Sequence, residues 1–195
     1  APGYTFSGWS QKEDFTMPAE NVTITGSFTA NGETPYKVEH YQQNLEDDGY
    51  TLAETENLTG ETDTTATANP KTYTGFAFDG TAEGTVASGN IAGDGSLVLK
   101  LYYDRNEYTV TYEYEGTVPA GAPEVPGEQT CKYGETVELA KMPDVTDYRF
   151  SGWYSEDVAL SGGSFTMPDH AVVIEGSFSQ LNSYTVTYDL NGGTT

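Results

Sequence analysis

Cysteine is almost absent from this sequence: Cys131 is the only one in 195 residues. No disulfide can close within the chain. A small secreted module built from it must rely on sheet packing or on its neighbours, a pattern that suits a bacterial surface better than an animal one. Cations are scarce as well. Eight Lys and Arg face 30 Asp and Glu, for a formal net charge of −22. A field of that sign repels nucleic acid and anionic membrane alike, so neither is expected as a partner. The acids are dispersed between apolar strands. The longest acidic run, Glu46-Asp47-Asp48 beside Gly49, reads as a turn and not as a disordered tail. No apolar run approaches the ~20 residues of a membrane helix, so no membrane insertion is expected. No secretion signal opens the chain. The first residues fall inside a repeated motif, and such signals are expected outside this stretch. No segment sustains an apolar period of 3.6, which limits any helix to one or two turns.

What is present favours strands and turns. Tyr supplies 15 residues and Gly 22, and Thr is abundant. Only 36% of residues are hydrophobic, which fits several small cores better than one large one. The chain also repeats itself. Tyr4-Thr-Phe-Ser-Gly-Trp9 returns as Tyr148-Arg-Phe-Ser-Gly-Trp153. Phe15-Thr-Met-Pro18 returns as Phe165-Thr-Met-Pro168, and Val22-Thr-Ile-Thr-Gly-Ser-Phe28 as Val172-Val-Ile-Glu-Gly-Ser-Phe178. Tyr108-Thr-Val-Thr-Tyr112 returns as Tyr184-Thr-Val-Thr-Tyr188. These echoes divide the chain. Residues 1–31 are the back half of a unit, 32–106 a second kind of unit, 107–181 a complete unit of the first kind, and 182–195 the first strand of a further repeat. Trp9 and Trp153 are expected to fill the small cores. The short joint at Asp104-Arg-Asn106 leaves little linker, so an elongated, fairly stiff rod is expected.

Alternation marks the strands. In Glu107–Glu115, Tyr108, Val110, Tyr112 and Tyr114 share one face, as a half-buried antiparallel strand requires. Leu97–Tyr103 and Tyr36–Tyr41 alternate likewise. Further strands are predicted at 50–56, 63–68, 73–78, 128–132, 135–140 and 148–154, and in the Val-x-Ile segments ending at Phe28 and Phe178. Asp48-Gly49, Gly93-Asp94-Gly95 and Tyr133-Gly134 read as hairpin turns. Pro119, Pro123 and Pro126 make 117–127 a loop. Pro18 and Pro168 fix the entry to the last strand of a unit.

The unit at 107–181 resembles the Listeria–Bacteroides repeat, also called the internalin B-repeat. The resemblance rests on Tyr184-Thr-Val-Thr-Tyr-Asp-Leu-Asn-Gly-Gly193, Gly3-Tyr-Thr-Phe-Ser-Gly-Trp9 and Phe15-Thr-Met-Pro-Ala19. The unit departs from that pattern at Tyr114-Glu-Gly116 and in a longer link between Trp153 and Phe165. The middle unit, from Tyr36-Lys-Val-Glu-His-Tyr41 through Leu97–Tyr103, is similar to mucin-binding-protein-type (MucBP-like) repeats. Together these resemblances imply a mainly β chain of tandem small β-grasp-like (ubiquitin-like) modules. They imply an extracellular, cell-wall-attached surface protein of a Gram-positive bacterium, whose repeats are spacers or adhesive segments. The family has no shared catalytic residues.

Little chemistry competes with that reading. A serine-type triad needs a histidine oriented by a carboxylate. His40 shares a strand face with Tyr36 and Val38, and His170 follows Pro168-Asp169 in a turn, so both read as structural. A zinc site assembled from two histidines and Cys131 in different units is less favoured still. Lys132 beside Cys131 is placed to lower the thiol pKa, although a semi-buried small residue is the simpler reading. Lys37 and Lys100 are candidates for an isopeptide, without a motif to support a pair. Glu46-Asp47-Asp48-Gly49 and Asp94 are hard oxygen clusters that suit calcium, but their spacing is not that of an EF-hand. The glycine-rich stretches lack the Lys and helix of a phosphate loop. Asn21-Val-Thr and Asn57-Leu-Thr match a glycosylation sequon, incidentally in a bacterial protein. Exposed tyrosines suit a glycan platform, yet alternation turns many inward. No catalytic, cofactor or metal residues are therefore assigned, and no enzyme activity is expected. The favoured function is a stalk in an adhesin-like protein, with neighbouring repeats as partners. The alternatives are a module that binds host glycan or mucin, and an accessory segment of a large secreted enzyme.

Overall fold

The computed structural model describes residues 1–11, 13–189, 191 and 192. The chain forms two compact units, residues 1–106 and 107–195. The first holds β1 (Tyr4–Trp9), β2 (Gly26–Ala30), β3 (Thr34–Gln43), β4 (Tyr50–Gly60), β5 (Thr65–Thr67), β6 (Phe76–Asp79), β7 (Ser88–Asn90) and β8 (Val98–Arg105). The second holds β9 (Glu107–Glu115), β10 (Gln129–Lys132), β11 (Thr136–Glu138), β12 (Tyr148–Phe150), β13 (Ser164–Thr166) and β14 (Val172–Gln180). Among the described residues there is no helix, so even the one or two turns allowed by the sequence are not used.

Each unit is built on the same plan. In the second, the sheet order is β10-β9-β14-β12, with a separate ribbon of β11 and β13. In the first, it is β4-β3-β8-β6, with a ribbon of β5 and β7. The central pair is parallel in both, with β3 beside β8 and β9 beside β14, and the flanking pairs are antiparallel. A hairpin, a last strand laid parallel to the first, and a third strand on the far edge make the β-grasp-like arrangement expected from the resemblance. The alternating faces seal the cores. Val38, Leu99, Leu101 and Tyr103 are buried in the first unit, and Val110, Tyr112, Val172 and Ile174 in the second.

The registers place the two cores in correspondence. Val38 opposes Leu99 where Val110 opposes Val172, and His40 opposes Leu101 where Tyr112 opposes Ile174. Two positions further along, Tyr103 stands where the second unit has Gly176. A Cβ on Gly176 would lie 2.2 Å from Phe150 and 3.1 Å from Trp153. The glycine leaves room for rings that reach over the strand from the neighbouring corner. Trp153 stacks on Tyr114, with centroids 5.8 Å apart, and donates from Nε1 to the Ala140 carbonyl at 2.9 Å. The first unit fills the same space from the strand itself, with the Tyr103 phenol.

The Phe-Ser-Gly-Trp corner is a bulge made twice. Phe6 faces Phe28 but Trp9 faces Gly26, so the β1 side carries one extra residue. The second copy does the same between Phe150, opposite Phe178, and Tyr154, opposite Glu175. Gly8 and Gly152 turn the chain at φ 86° and 93°, which favours glycine. The bulge removes a ladder acceptor, and the serine replaces it. Ser7 Oγ accepts the Ser27 N–H at 2.9 Å, and Ser151 Oγ accepts the Ser177 N–H at 3.0 Å.

Several expectations need correction. Trp153 packs against its core, but Trp9 is 57% exposed and fills none. The Val-x-Ile segment at 22–24 is not a strand; β2 begins at Gly26. Asp48-Gly49 closes the β3–β4 hairpin, with Asn44 N–H donating to the Gly49 carbonyl. Gly93-Asp94-Gly95 and Tyr133-Gly134 close no hairpin. They turn the chain from ribbon to sheet, and from sheet to ribbon, because β7 and β8 do not pair, nor do β10 and β11. The strand expected from residue 182 onward has no strand partner across 182–189 among the described residues, and its positions 190 and 193–195 lie outside them.

Candidate functional site

A connected polar constellation lies in the first unit, around His40. Alternation along β3 turns its imidazole inward, and no part of it reaches solvent. A buried imidazole needs partners for both nitrogens, and it has them. Nδ1 lies 2.9 Å from the Tyr103 hydroxyl, and Nε2 lies 3.1 Å from Glu56 Oε2. The Tyr103 hydroxyl accepts the Lys71 backbone N–H at 2.9 Å. Its one proton is then free for His40 Nδ1, which leaves Nε2–H as the donor to Glu56. Neutral imidazole satisfies the whole chain of bonds.

Lys71 closes the network at the surface. Its Nζ lies 2.6 Å from Glu54 Oε1 and 2.8 Å from Glu56 Oε1, and the Tyr73 hydroxyl donates to Glu54 Oε2 at 2.7 Å. The Lys71 ammonium holds both carboxyls below the usual carboxylate range, with Tyr73 adding to the effect at Glu54 and His40 at Glu56. The two carboxylates in turn raise the lysine. Burial, followed by Glu54, raises Tyr73. Beside this network runs a groove of about 280 Å3 lined by Tyr36, Leu58, Asn69, Pro70, Glu56 and Lys71. An aromatic face, an amide, a carboxylate and an ammonium are the donor and acceptor types that hold a sugar ring. They are not a nucleophile and base, since the imidazole is sealed and both of its nitrogens are engaged.

The other candidates are placed apart. His170 is exposed, 3.4 Å from Asp169. Cys131 is buried, and burial raises its thiol, with Glu135 adding to the rise. That is opposite to the lowering expected from Lys132. Asp47 Oδ1 accepts from Asn44 Nδ2 and Gly49 N–H, both at 2.7 Å, and Asp94 Oδ1 accepts from Ser96 N–H at 3.0 Å. These carboxylates cap their own turns, and no three metal-ligating side chains gather at one point among the described residues. Lys100 stands 5.8 Å from the Tyr41 ring centroid, and among the described residues neither it nor Lys37 makes an ion pair. In the second unit an apolar groove of about 430 Å3 runs along Trp153, Leu139, Met142 and Leu160. The inward turn of His40 was legible in its strand pattern. Lys71 was not, because it lies in a loop without period.

Comparisons with known proteins agree with the repeat motifs. Residues 108–173 match the family described as the Listeria-Bacteroides repeat domain, and residues 1–32 match the divergent InlB B-repeat domain. A protein of Evansella cellulosilytica described as a Gly-rich membrane protein is 23% identical over 98% of this chain and 22% of its own length. A second membrane protein of that organism is 26% identical over 50% of this chain and 14% of its own. The chain thus spans less than a quarter of each relative. Among solved structures, domains 3-4 of the Streptococcal High Identity Repeats in Tandem from a cell surface protein align at 16% identity and a TM-score of 0.26. They cover 73% of this chain and 96% of theirs. Mub-RV aligns at 13% identity and a TM-score of 0.26, over 73% of this chain and 98% of its own.

Proposed function

We propose that the chain is a non-catalytic repeat segment of a bacterial cell-surface protein, because residues 108–173 match the Listeria-Bacteroides repeat domain and residues 1–32 the divergent InlB B-repeat domain. It acts as a stalk that spaces a distant head from the cell wall. One observation carries this reading: both units repeat a single pairing plan, and their buried side-chain polar atoms all have partners among the described residues. A scaffold with its polar chemistry closed on itself suits spacing better than turnover. The rod expected from the sequence belongs to this proposal, and an elongated particle in small-angle scattering is its expected signature.

The groove of Tyr36, Asn69, Glu56 and Lys71 favours a second reading, a module that binds glycan or mucin. A multimerised form of the chain, screened against mucins and a glycan array, separates the two, since avidity reveals weak single sites. Silence at high valency is expected for the stalk. Saturable binding lost on Tyr36→Ala would replace it with adhesion.

A further inference from the structure

One corner is built twice in this chain and used differently. Gly3 and Asp147 precede the matching tyrosines Tyr4 and Tyr148, and both sit at positive φ, 77° and 66°. The Gly3 carbonyl accepts the Asn31 N–H at 2.8 Å, and the Asp147 carbonyl accepts the Leu181 N–H at 2.7 Å. Asp147 is exposed. Gly3 instead lies against the Gly93-Asp94-Gly95 turn of its own unit. A Cβ on Gly3 would stand 2.3 Å from the Gly93 Cα, and one on Gly93 would stand 2.3 Å from the Pro2 carbonyl oxygen. Neither residue has room for a side chain, because backbone meets backbone there. Polar contacts ring this approach. The Asn31 carbonyl accepts the Thr62 N–H at 3.0 Å, and its side-chain oxygen accepts the Thr5 hydroxyl at 2.7 Å. The Tyr4 hydroxyl donates to Asp63. The Thr62 hydroxyl is buried 2.7 Å from that of Thr34, at the start of β3.

We propose that this corner is a seat between successive repeats, and that the residue at its tip decides whether the seat forms. Glycine at position 3 lets the β1–β2 pair lock onto the Gly93 turn of the middle repeat. The Cβ of Asp147 closes the matching corner of the second copy to the same contact. Only three residues, Asn31-Gly-Glu33, join β2 to β3, and alone they would swivel about Gly32. Among the described residues β1 and β2 share no ladder with the β4-β3-β8-β6 sheet. The angle between them therefore rests on the seat. Of the seat's side chains at this corner, only Tyr4 returns in the second copy. Thr5 and Asn31 are replaced by Arg149 and Leu181. The partner that fits Gly3 is thus a repeat whose turn presents bare backbone, as Gly93 does. The seat does not rest on either functional reading, since spacing and adhesion both use a fixed neighbour.

Pulsed electron–electron dipolar spectroscopy of the 195-residue chain tests this. Nitroxides are placed at Ser27→Cys in β2 and Thr55→Cys in β4, both exposed, with Cys131→Ala removing the native thiol. The parent is expected to give a single narrow distance distribution. Gly3→Asp installs the second copy's residue, which tolerates this φ at Asp147, and is expected to broaden the distribution severalfold. Gly93→Ala tests the contact from the other side, at a φ that is not positive, and is expected to do the same. Amide-exchange protection of β3 and β8 is expected to stay unchanged in both variants, because Val38, Leu99 and Leu101 take no part in the seat. A broad distribution in the parent would overturn the seat. So would variants as narrow as the parent. Loss of protection in β3 and β8 would assign the two glycines to the middle fold itself, and would also overturn their role between repeats.

Discussion

Tyr103 illustrates how much one side chain holds. Its ring fills the place that Gly176, Phe150 and Trp153 share in the second unit, and its hydroxyl links the Lys71 backbone to His40. Tyr103→Phe keeps the volume but takes a partner from the buried His40 Nδ1 and from the part-buried Lys71 N–H. A loss of about 1–3 kcal/mol is expected, read from urea unfolding. Glu175 points the other way. Desolvation raises its carboxyl, and Glu115, Glu156, Glu113 and Asp157 raise it further. A carboxyl with a raised folded pKa binds its proton more tightly when folded, so its ionisation destabilises at neutral pH and protonation relieves this. Glu175→Gln is therefore expected to raise the melting temperature at pH 7, with the difference shrinking as the pH falls through the carboxylate range. The inward turn of His40 was readable from its strand. The crowding around Glu175 was not, because its neighbours come from β9 and the 155–157 turn, and meet only once the sheet is paired.

At the level of elements, strand content was more legible than strand pairing. Glu107–Glu115 was bounded correctly, because its alternation is unbroken. β7, Ser-Gly-Asn, carries no apolar alternation and was invisible. Gly93 and Gly134 mark real turns, but a turn residue fixes local backbone and not which strands meet beyond it. β2 and β14 make the same point. They share one motif, yet a strand extends only as far as its partners reach. The bulge makes a sharper test. Ser151→Ala leaves the Ser177 N–H without its acceptor and is expected to cost about 1 kcal/mol. Gly176→Ala drives a Cβ into Phe150 and is expected to cost about 1–3 kcal/mol. Thermal melts of the two variants should therefore rank Gly176→Ala as the more damaging.

Across the whole molecule, the two kinds of unit proved to share one plan. The sequence had separated them by motif, since the middle unit lacks tryptophan and the Phe-Ser-Gly-Trp corner. The kinship lies in registers such as Val38 with Leu99 and Val110 with Val172, which join residues about 60 apart in the chain. The charge of −22 belongs to this scale too. Its self-repulsion reaches about 30 Å at 0.01 M salt and about 8 Å at 0.15 M, so the melting temperature is expected to rise between the two. Glu54 and Glu56 contribute on the acid side. Their lowered pKa values contribute stability above the ordinary carboxyl value of 4.5, and that contribution is lost as the pH falls through the depressed values. The parallel central pair has a mechanical consequence. In the second unit the chain enters at Glu107, the start of β9, and leaves β14 at Gln180, the opposite end of a strand lying alongside. Tension between those two points pulls the strands past each other and loads every rung between them at once. The same tension applied at Glu115 and Gln180, which lie at one end of the pair, opens the rungs in turn. Single-molecule pulling is expected to show a higher rupture force in the first geometry, the one in which force applied along the chain loads the module.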